Sequence, residues 1–371
     1  MRKQRWGTRK VAGTRKVAGT RKQRGGPRKM AYVKTATRVC PVPVLPNLGL
    51  GNLGNTCFIN AVLQVFLRLA VAGLLVLSSG QVEKVSETKA EIKESQDLQL
   101  ALAGLFTSEH GATLNRVANK NVRKHCVFPS KKSDAFILGR QQDATELLVQ
   151  LLKIEPFLRS CRIIVCTHNY DVARPITTSE LDAVYDYPRL LSEKTYHVNI
   201  GLNSVMFERT NKIDLSIQTS DGTENYTDLD TCFAEYFHAG PLETPIKGKE
   251  GFYQKHKVYQ WPDVLVVCFN RFHFDVQTSL ISKLTHFVHV PERMERDGHT
   301  FLLHGVVSHK GATKDAGHYF SDVRHSTGAW YHYDDETVTE WPSVSYDDLF
   351  NNASMYKDVH DNRYILVYVK Q

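Results

Sequence analysis

Apolar residues follow two different rhythms along this chain. In FINAVLQVFLRLA (58–70) they recur at helical spacing, and DATELLVQLL (143–152) repeats the pattern behind an acidic residue suited to the positive end of a helix. From about residue 98 to residue 152 the chain reads as mostly helical. Beyond Tyr196 the character changes to β-branched and aromatic runs separated by turn residues: VLVVCF (264–269), LLHGVVS (302–308), HYFSDVR (318–324), WYHY (330–333) and YILVYV (364–369). Helices followed by strands predict an α+β architecture, with a site where the two lobes meet. The glycine-rich stretch 48–55 leads into the first helix, which Thr56 is placed to cap and Cys57 opens.

Pro41, Pro43 and Pro46 mark an extended connector, because each fixes its own φ and turns its predecessor away from the helical region. A domain therefore begins near Leu45. Ahead of it GTRKVA occurs at 7–12 and again at 13–18, and GTRK opens a third copy at 19–22. That period is too short for a solenoid and too poor in apolar residues to bury a core, so 1–44 is expected to be a disordered basic tail and linker. Of the 47 Lys and Arg, 14 fall in 1–38 with no Asp or Glu, and the remaining 33 face 39 acidic residues. The body is acidic, with a net charge of about −6. The tail allows weak contact with nucleic acid or an anionic surface, but a nucleic-acid-binding body should itself be basic. The longest apolar stretch, 61–78, is interrupted by Gln64, Arg68 and Gly73 and falls short of the roughly 20 uncharged residues that span a bilayer. No membrane span and no export signal are expected, which places the chain inside the cell, in cytoplasm or nucleus.

Seven scattered cysteines, an odd number with no C-x2-C pair among them, argue for reduced thiols and leave a structural zinc without ligands. One of them stands apart. Cys57 opens a helix, where unpaired N–H groups and partial positive charge favour the thiolate that attacks. Acyl transfer also needs a base, a group to orient that base, and donors for the oxyanion. Among 16 histidines, His318 starts one predicted strand while Asp334 ends the next, and a short turn at 326–328 would bring the two side chains together.

The segment GNLGNTCFINAVLQ (51–64) resembles the cysteine box of the ubiquitin-specific proteases, and GHY (317–319) with WYHYDD (330–335) resembles their histidine box. QQDATELL (141–148), PDVLVVCFNRF (262–272) and YILVY (364–368) resemble three further family segments, in the family's order, from about residue 48 to residue 369. The resemblance implies a papain-like cysteine protease of α+β class: an α-rich thumb over about 45–190, reduced fingers over about 195–258 and a β-rich palm over about 259–371. It implies hydrolysis of the isopeptide or peptide bond after the C-terminal glycine of ubiquitin, with ubiquitin or ubiquitinated proteins as partners. By position it makes Cys57 the nucleophile, His318 the general base and then acid, Asp334 the orienting group, and Asn52 a donor to the oxyanion. Asp335 is the rival to Asp334, since adjacent strand residues face opposite ways and only one can serve His318. Gln142, Asp143 and Glu146 are candidates for contact with the substrate's basic tail. Gly317, Tyr319 and Trp330, with Phe320, are candidates for the walls of a narrow channel.

The chain departs from the family in one respect. Most members hold the tips of the fingers on zinc through two Cys-x2-Cys pairs, whereas Cys232 is the lone cysteine between residues 196 and 258. No cofactor is expected. The loops 284–298 and 311–316 fall where the family has loops over the ubiquitin tail, with Gly311 and Gly317 as hinges for the second. Two alternatives share these motifs: an inactive ubiquitin-binding relative, and a protease for a ubiquitin-like modifier.

Overall fold

The computed structural model describes residues 49–71, 141–152, 160–219, 221–241, 252–275, 280–313, 316–343, 345–352 and 362–371. The expectations for the basic tail, and for helices between 98 and 140, lie outside these residues. The helices are α1 (Cys57–Val71), α2 (Ala144–Leu151), α3 (Thr178–Val184), α4 (Tyr187–Ser192), α5 (Leu229–Tyr236) and α6 (Tyr346–Phe350). The strands are β1 (Ile163–Asp171), β2 (Thr195–Ile200), β3 (Asn203–Thr210), β4 (Ile213–Ser216), β5 (Gly240–Pro241), β6 (Phe252–Gln260), β7 (Val264–Asn270), β8 (Phe272–Asp275), β9 (Leu280–Lys283), β10 (Arg293–Arg296), β11 (His299–Thr313), β12 (Ala316–Arg324), β13 (Trp330–Asp334), β14 (Thr337–Glu340) and β15 (Arg363–Lys370).

Eight strands form one sheet in the order β14-β13-β12-β11-β15-β7-β4, with β10 paired to β11. Its central strands β7 and β15 are buried at almost every position, as a sheet covered on both faces requires. On one face lie α1 and α2, whose Val62, Phe66, Leu147 and Leu151 pack with Val266, Tyr319 and Ile365. On the other, α5 and α6 bring Phe233, Leu349 and Phe350 against Leu265, Phe320 and Leu366. The seating of α1 is close: a Cβ at Gly305 of β11 would lie 2.6 Å from Val65 Cγ1. Glycine there lets the helix carrying Cys57 approach the sheet carrying His318.

The second sheet runs β2-β3-β1-β6-β5. In β3, Asn203, Val205, Phe207 and Arg209 are buried while the residues between them are half-exposed, the alternation of a sheet with one dry face. That face packs Cys166, Tyr196, Val205 and Phe207 against Leu181 of α3 and Leu190 of α4. Here the structure corrects one expectation. β1, within the 45–190 stretch assigned to the helical thumb, pairs with β3 and β6 and belongs to this sheet. Its IIVCTHNYD run is a strand by composition, but it stands isolated in sequence from the strands it joins. The stretch 284–298 is likewise more anchored than a free loop, since Val288 and Val290 are fully buried and β10 lies within it.

Candidate active site

The site forms where the N-terminus of α1 meets the β12–β13 hairpin. Cys57 is the first residue of α1 and is 3% exposed. Thr56 occupies the cap position by backbone, its carbonyl accepting from the Asn60 N–H at 3.0 Å. Its hydroxyl, however, turns back into the loop and accepts from the Leu53 N–H at 2.9 Å. β12 and β13 pair with Ser321 opposite Tyr333, a register that brings His318 within reach of Asp334. His318 Nε2 bonds the Asp334 carboxylate, and the His318 ring also bonds the Cys57 thiol. Since Nε2 is taken by the acid, Nδ1 is the nitrogen left for sulfur. The Cys57 hydrogen bond, opposed by burial and reinforced by Asp334, raises the proton affinity of His318 from 6.5 to about 9.

Asp335 does something other than compete for the histidine. It sits at φ 51° in the β13–β14 turn, which swings its carboxylate away from the strand's alternation. One oxygen accepts from Asn52 Nδ2 at 2.8 Å and the other from Asn60 Nδ2 at 2.7 Å, while its carbonyl accepts from the Leu50 N–H at 2.8 Å. Asn52 Oδ1 in turn accepts from the N–H groups of Gly54 and Thr56, at 3.0 and 3.2 Å. Gly49 touches the same turn so closely that a Cβ would meet Glu336 O at 2.3 Å. The glycine-rich loop is therefore fastened at three points to the turn that follows Asp334.

A nucleophilic thiol at a helix start, an imidazole between that thiol and a carboxylate, and an amide held nearby constitute the parts of a thiol acyl-transfer site. The sequence profile of ubiquitin carboxyl-terminal hydrolases matches residues 48–368. The chain belongs to that family. Ubiquitin carboxyl-terminal hydrolase 48 of Gallus gallus is 26% identical over 313 residues, which cover 78% of this chain and 28% of that protein. Ubiquitin carboxyl-terminal hydrolase 12 of Salmo salar is 23% identical over 358 residues, covering 86% of this chain and 88% of that one. The chain thus spans little more than a quarter of the Gallus gallus relative. Among solved structures, the SAGA Ubp8/Sgf11/Sus1/Sgf73 DUB module bound to ubiquitin aldehyde aligns with a TM-score of 0.59 at 16% identity, over 87% of this chain and 69% of that one. The same module bound to monoubiquitin gives 0.58. The fold is the α+β fold of these hydrolases.

The remaining expected site residues divide by burial. Gly317 and Glu146 are exposed and Gln142 half-exposed. Asp143 is buried, and its carboxylate caps α2 through the Thr145 N–H and accepts from the Tyr364 hydroxyl at 2.8 Å, a structural use. Tyr319 is fully buried with its ring 4.4 Å from that of His309, and Trp330 packs on Phe350 at 4.6 Å. Both belong to the core clusters of the described residues. Phe320 is buried with Trp330 in the same cluster. Asn60 carried no motif signal of its own. An amide within an apolar helix must find partners when buried, and it found Asp335 and the Leu50 carbonyl.

The family's zinc does not fit the residues present. In the stretch that would hold it, Cys232 is on α5, buried among Leu229, Phe233 and Val288, with no second thiol beside it in sequence. Among the described residues no helix is long and apolar enough to cross a membrane.

Proposed function

We propose that this chain is a thiol-dependent deubiquitinase, hydrolysing the bond that follows the C-terminal glycine of ubiquitin. The observation that carries the reading is the line from Cys57 through His318 to Asp334. In this reading the Cys57 thiolate attacks the carbonyl carbon, and the His318 imidazolium delivers its proton to the departing lysine amine as the C–N bond breaks. A water molecule, deprotonated by His318, then hydrolyses the thioester and releases the free carboxylate and Cys57. Asp334 holds the ring through Nε2 in both steps. Of the two N–H groups on the Asn52 amide, one is occupied by Asp335 and the other remains for the oxyanion, beside the backbone N–H of Cys57. The acidic body complements a basic substrate tail, with Glu146 and Gln142 the exposed candidates for that contact.

The test treats the purified protein with ubiquitin bearing a thiol-reactive group at its C-terminus, beside the same group on ubiquitin-like modifiers, and compares Cys57→Ala. A covalent ubiquitin adduct that disappears in the variant is expected. No adduct in the unmutated protein refutes the enzymatic reading and leaves a ubiquitin-binding relative. A stronger adduct with another modifier transfers the activity to that modifier.

A further inference from the structure

Asn60 lies one helical turn beyond Cys57 on α1 and is 1% exposed. A carboxamide carries two N–H groups, and those of Asn60 reach two neighbouring parts of the site. Its Nδ2 lies 2.7 Å from Asp335 Oδ1 and 2.9 Å from the Leu50 carbonyl, with the Gly51 carbonyl further off at 3.4 Å. Leu50 and Gly51 lead into Asn52, and Asp335 gives its other oxygen to Asn52 Nδ2 at 2.8 Å. Asn60 therefore reaches Asn52 by two routes, through the backbone behind it and through the carboxylate beside it. Asn52 itself is exposed, and its Oδ1 bonds to the N–H groups of Gly54 and Thr56 tie it only to its own loop. Asp335 is what fixes the amino end of that amide. Asp335 stands in a turn with its carboxylate half-buried, and the oxygen that Asn52 leaves is the oxygen that Asn60 takes. With a donor on each oxygen, the carboxylate cannot rotate without breaking a charge-assisted bond.

We propose that Asn60 is a positioning residue that, through Asp335 and the Leu50 carbonyl, holds the Asn52 amide at a fixed reach from Cys57. The inference rests on the acyl-transfer reading of the site, in which the second Asn52 N–H meets the oxyanion. Because Asn60 is buried on the helix that Cys57 opens, it refers the donor to the element that carries the nucleophile. A donor aimed at an oxyanion acts only once that charge forms, so its positioning enters kcat and leaves substrate binding alone. Misplacing a group by about 1 Å costs on the order of a hundredfold in rate. Removing the Asn60 amide leaves Asp335 bonded to Asn52 but unbraced, and the loss should be smaller, about tenfold.

The test is a double-mutant cycle of Asn60→Ala and Asn52→Ala on a ubiquitin–amide substrate, with kcat and KM resolved. Asn60→Ala should lower kcat about tenfold with KM within about twofold of wild type. Asn52→Ala should lower kcat about a hundredfold, as loss of an oxyanion donor does. The double variant should be no slower than Asn52→Ala, because Asn60 then has nothing left to position. Alkylation of Cys57 by iodoacetamide forms no oxyanion and should run within about twofold of wild type in Asn60→Ala. Where the alanine variant does not fold, Asn60→Ser repeats the cycle, its hydroxyl falling one atom short of the reach of the amide. A merely structural Asn60 multiplies the two losses to about a thousandfold in the double variant and slows alkylation together with kcat. Either result, an unchanged kcat in Asn60→Ala, or a raised KM in place of the lowered kcat overturns the proposal. Absence of turnover in wild type overturns the acyl-transfer reading, and the role of Asn60 with it.

Discussion

His318→Gln removes a proton that the folded state binds more tightly than the unfolded chain, and the consequence for stability has a definite sign. A histidine raised from 6.5 to about 9 by Cys57 and Asp334 contributes stability that is complete below pH 6.5 and lost as pH rises through 9. At 1.36 kcal/mol per pH unit the full effect is on the order of 3 kcal/mol. Because the His318 side chain is 37% exposed and that of Asp334 46%, solvent screening brings it to about 1–2 kcal/mol. Between pH 6 and pH 8 somewhat more than half should disappear, so wild type minus variant should shrink by roughly 1 kcal/mol over that window. The assay is urea unfolding of both proteins at half-unit pH steps, with the two m-values required to agree. Loss of the hydrogen bonds themselves shifts the difference by a constant and leaves its slope untouched. A difference that stays flat, or grows toward pH 8, refutes the coupling of His318 to Cys57 and Asp334.

Asp335→Ala frees the Asn52 amide and should lower kcat/KM on a ubiquitin–amide substrate by about a hundredfold, on the scale of losing one oxyanion donor, while circular dichroism shows an intact fold. Gly305→Ala forces a methyl into contact with Val65 and should destabilise by about 1–3 kcal/mol in urea unfolding, without altering the site's residues. His304, His309 and His325 are each depressed to about 4, first by burial, so each contributes stability that is present above pH 6.5 and lost as pH falls through 4. His309→Phe should therefore flatten the acid limb of the stability curve, as measured by thermal melts between pH 4 and pH 7.

The chemistry was legible because each of its parts sits in a short local segment. Cys57 comes with its loop, and His318 and Asp334 lie on neighbouring strands whose short turn fixes their pairing. The one-in, one-out rule of a strand said that only one of Asp334 and Asp335 could serve His318, the position in the motif pointed to Asp334, and it is Asp334 that His318 bonds. The task of Asp335 did not follow from it, because φ 51° takes that residue off the strand and the rule stops applying. β1 was obscured for a different reason. Its partners β3 and β6 lie tens of residues downstream, so nothing adjacent in sequence marks it as part of a sheet. Tyr319 and Trp330 were drawn toward the site by their neighbours in the motif; Tyr319, next to His318 on β12, points into the core by the same alternation, whereas Trp330 shares the face of Asp334 but lies at the other end of β13, packed on Phe350.

That same alternation explains how a sheet without a thiolate cage keeps its outer end in register. Beyond the last pair of β1 with β3, the Asn203 carboxamide spans the gap, accepting from the Asp171 N–H at 3.0 Å and donating to the Arg174 carbonyl at 2.8 Å. Behind it the dry face stacks Tyr196 on Phe207 with centroids 5.2 Å apart and packs Tyr185 against Tyr259, tilted, at 4.3 Å. α3 closes that face with a capping box in which Thr177 and Glu180 satisfy each other's backbone N–H groups. Each contact is local and modest, about 0.5–1.5 kcal/mol for an aromatic pair and about 1 kcal/mol for a cap. Order at the end of this sheet therefore depends on side chains spread over β1, β2, β3 and α3 acting together, and a single substitution at Asn203 or Thr177 should loosen it without unfolding the sheet that carries Cys57's partners.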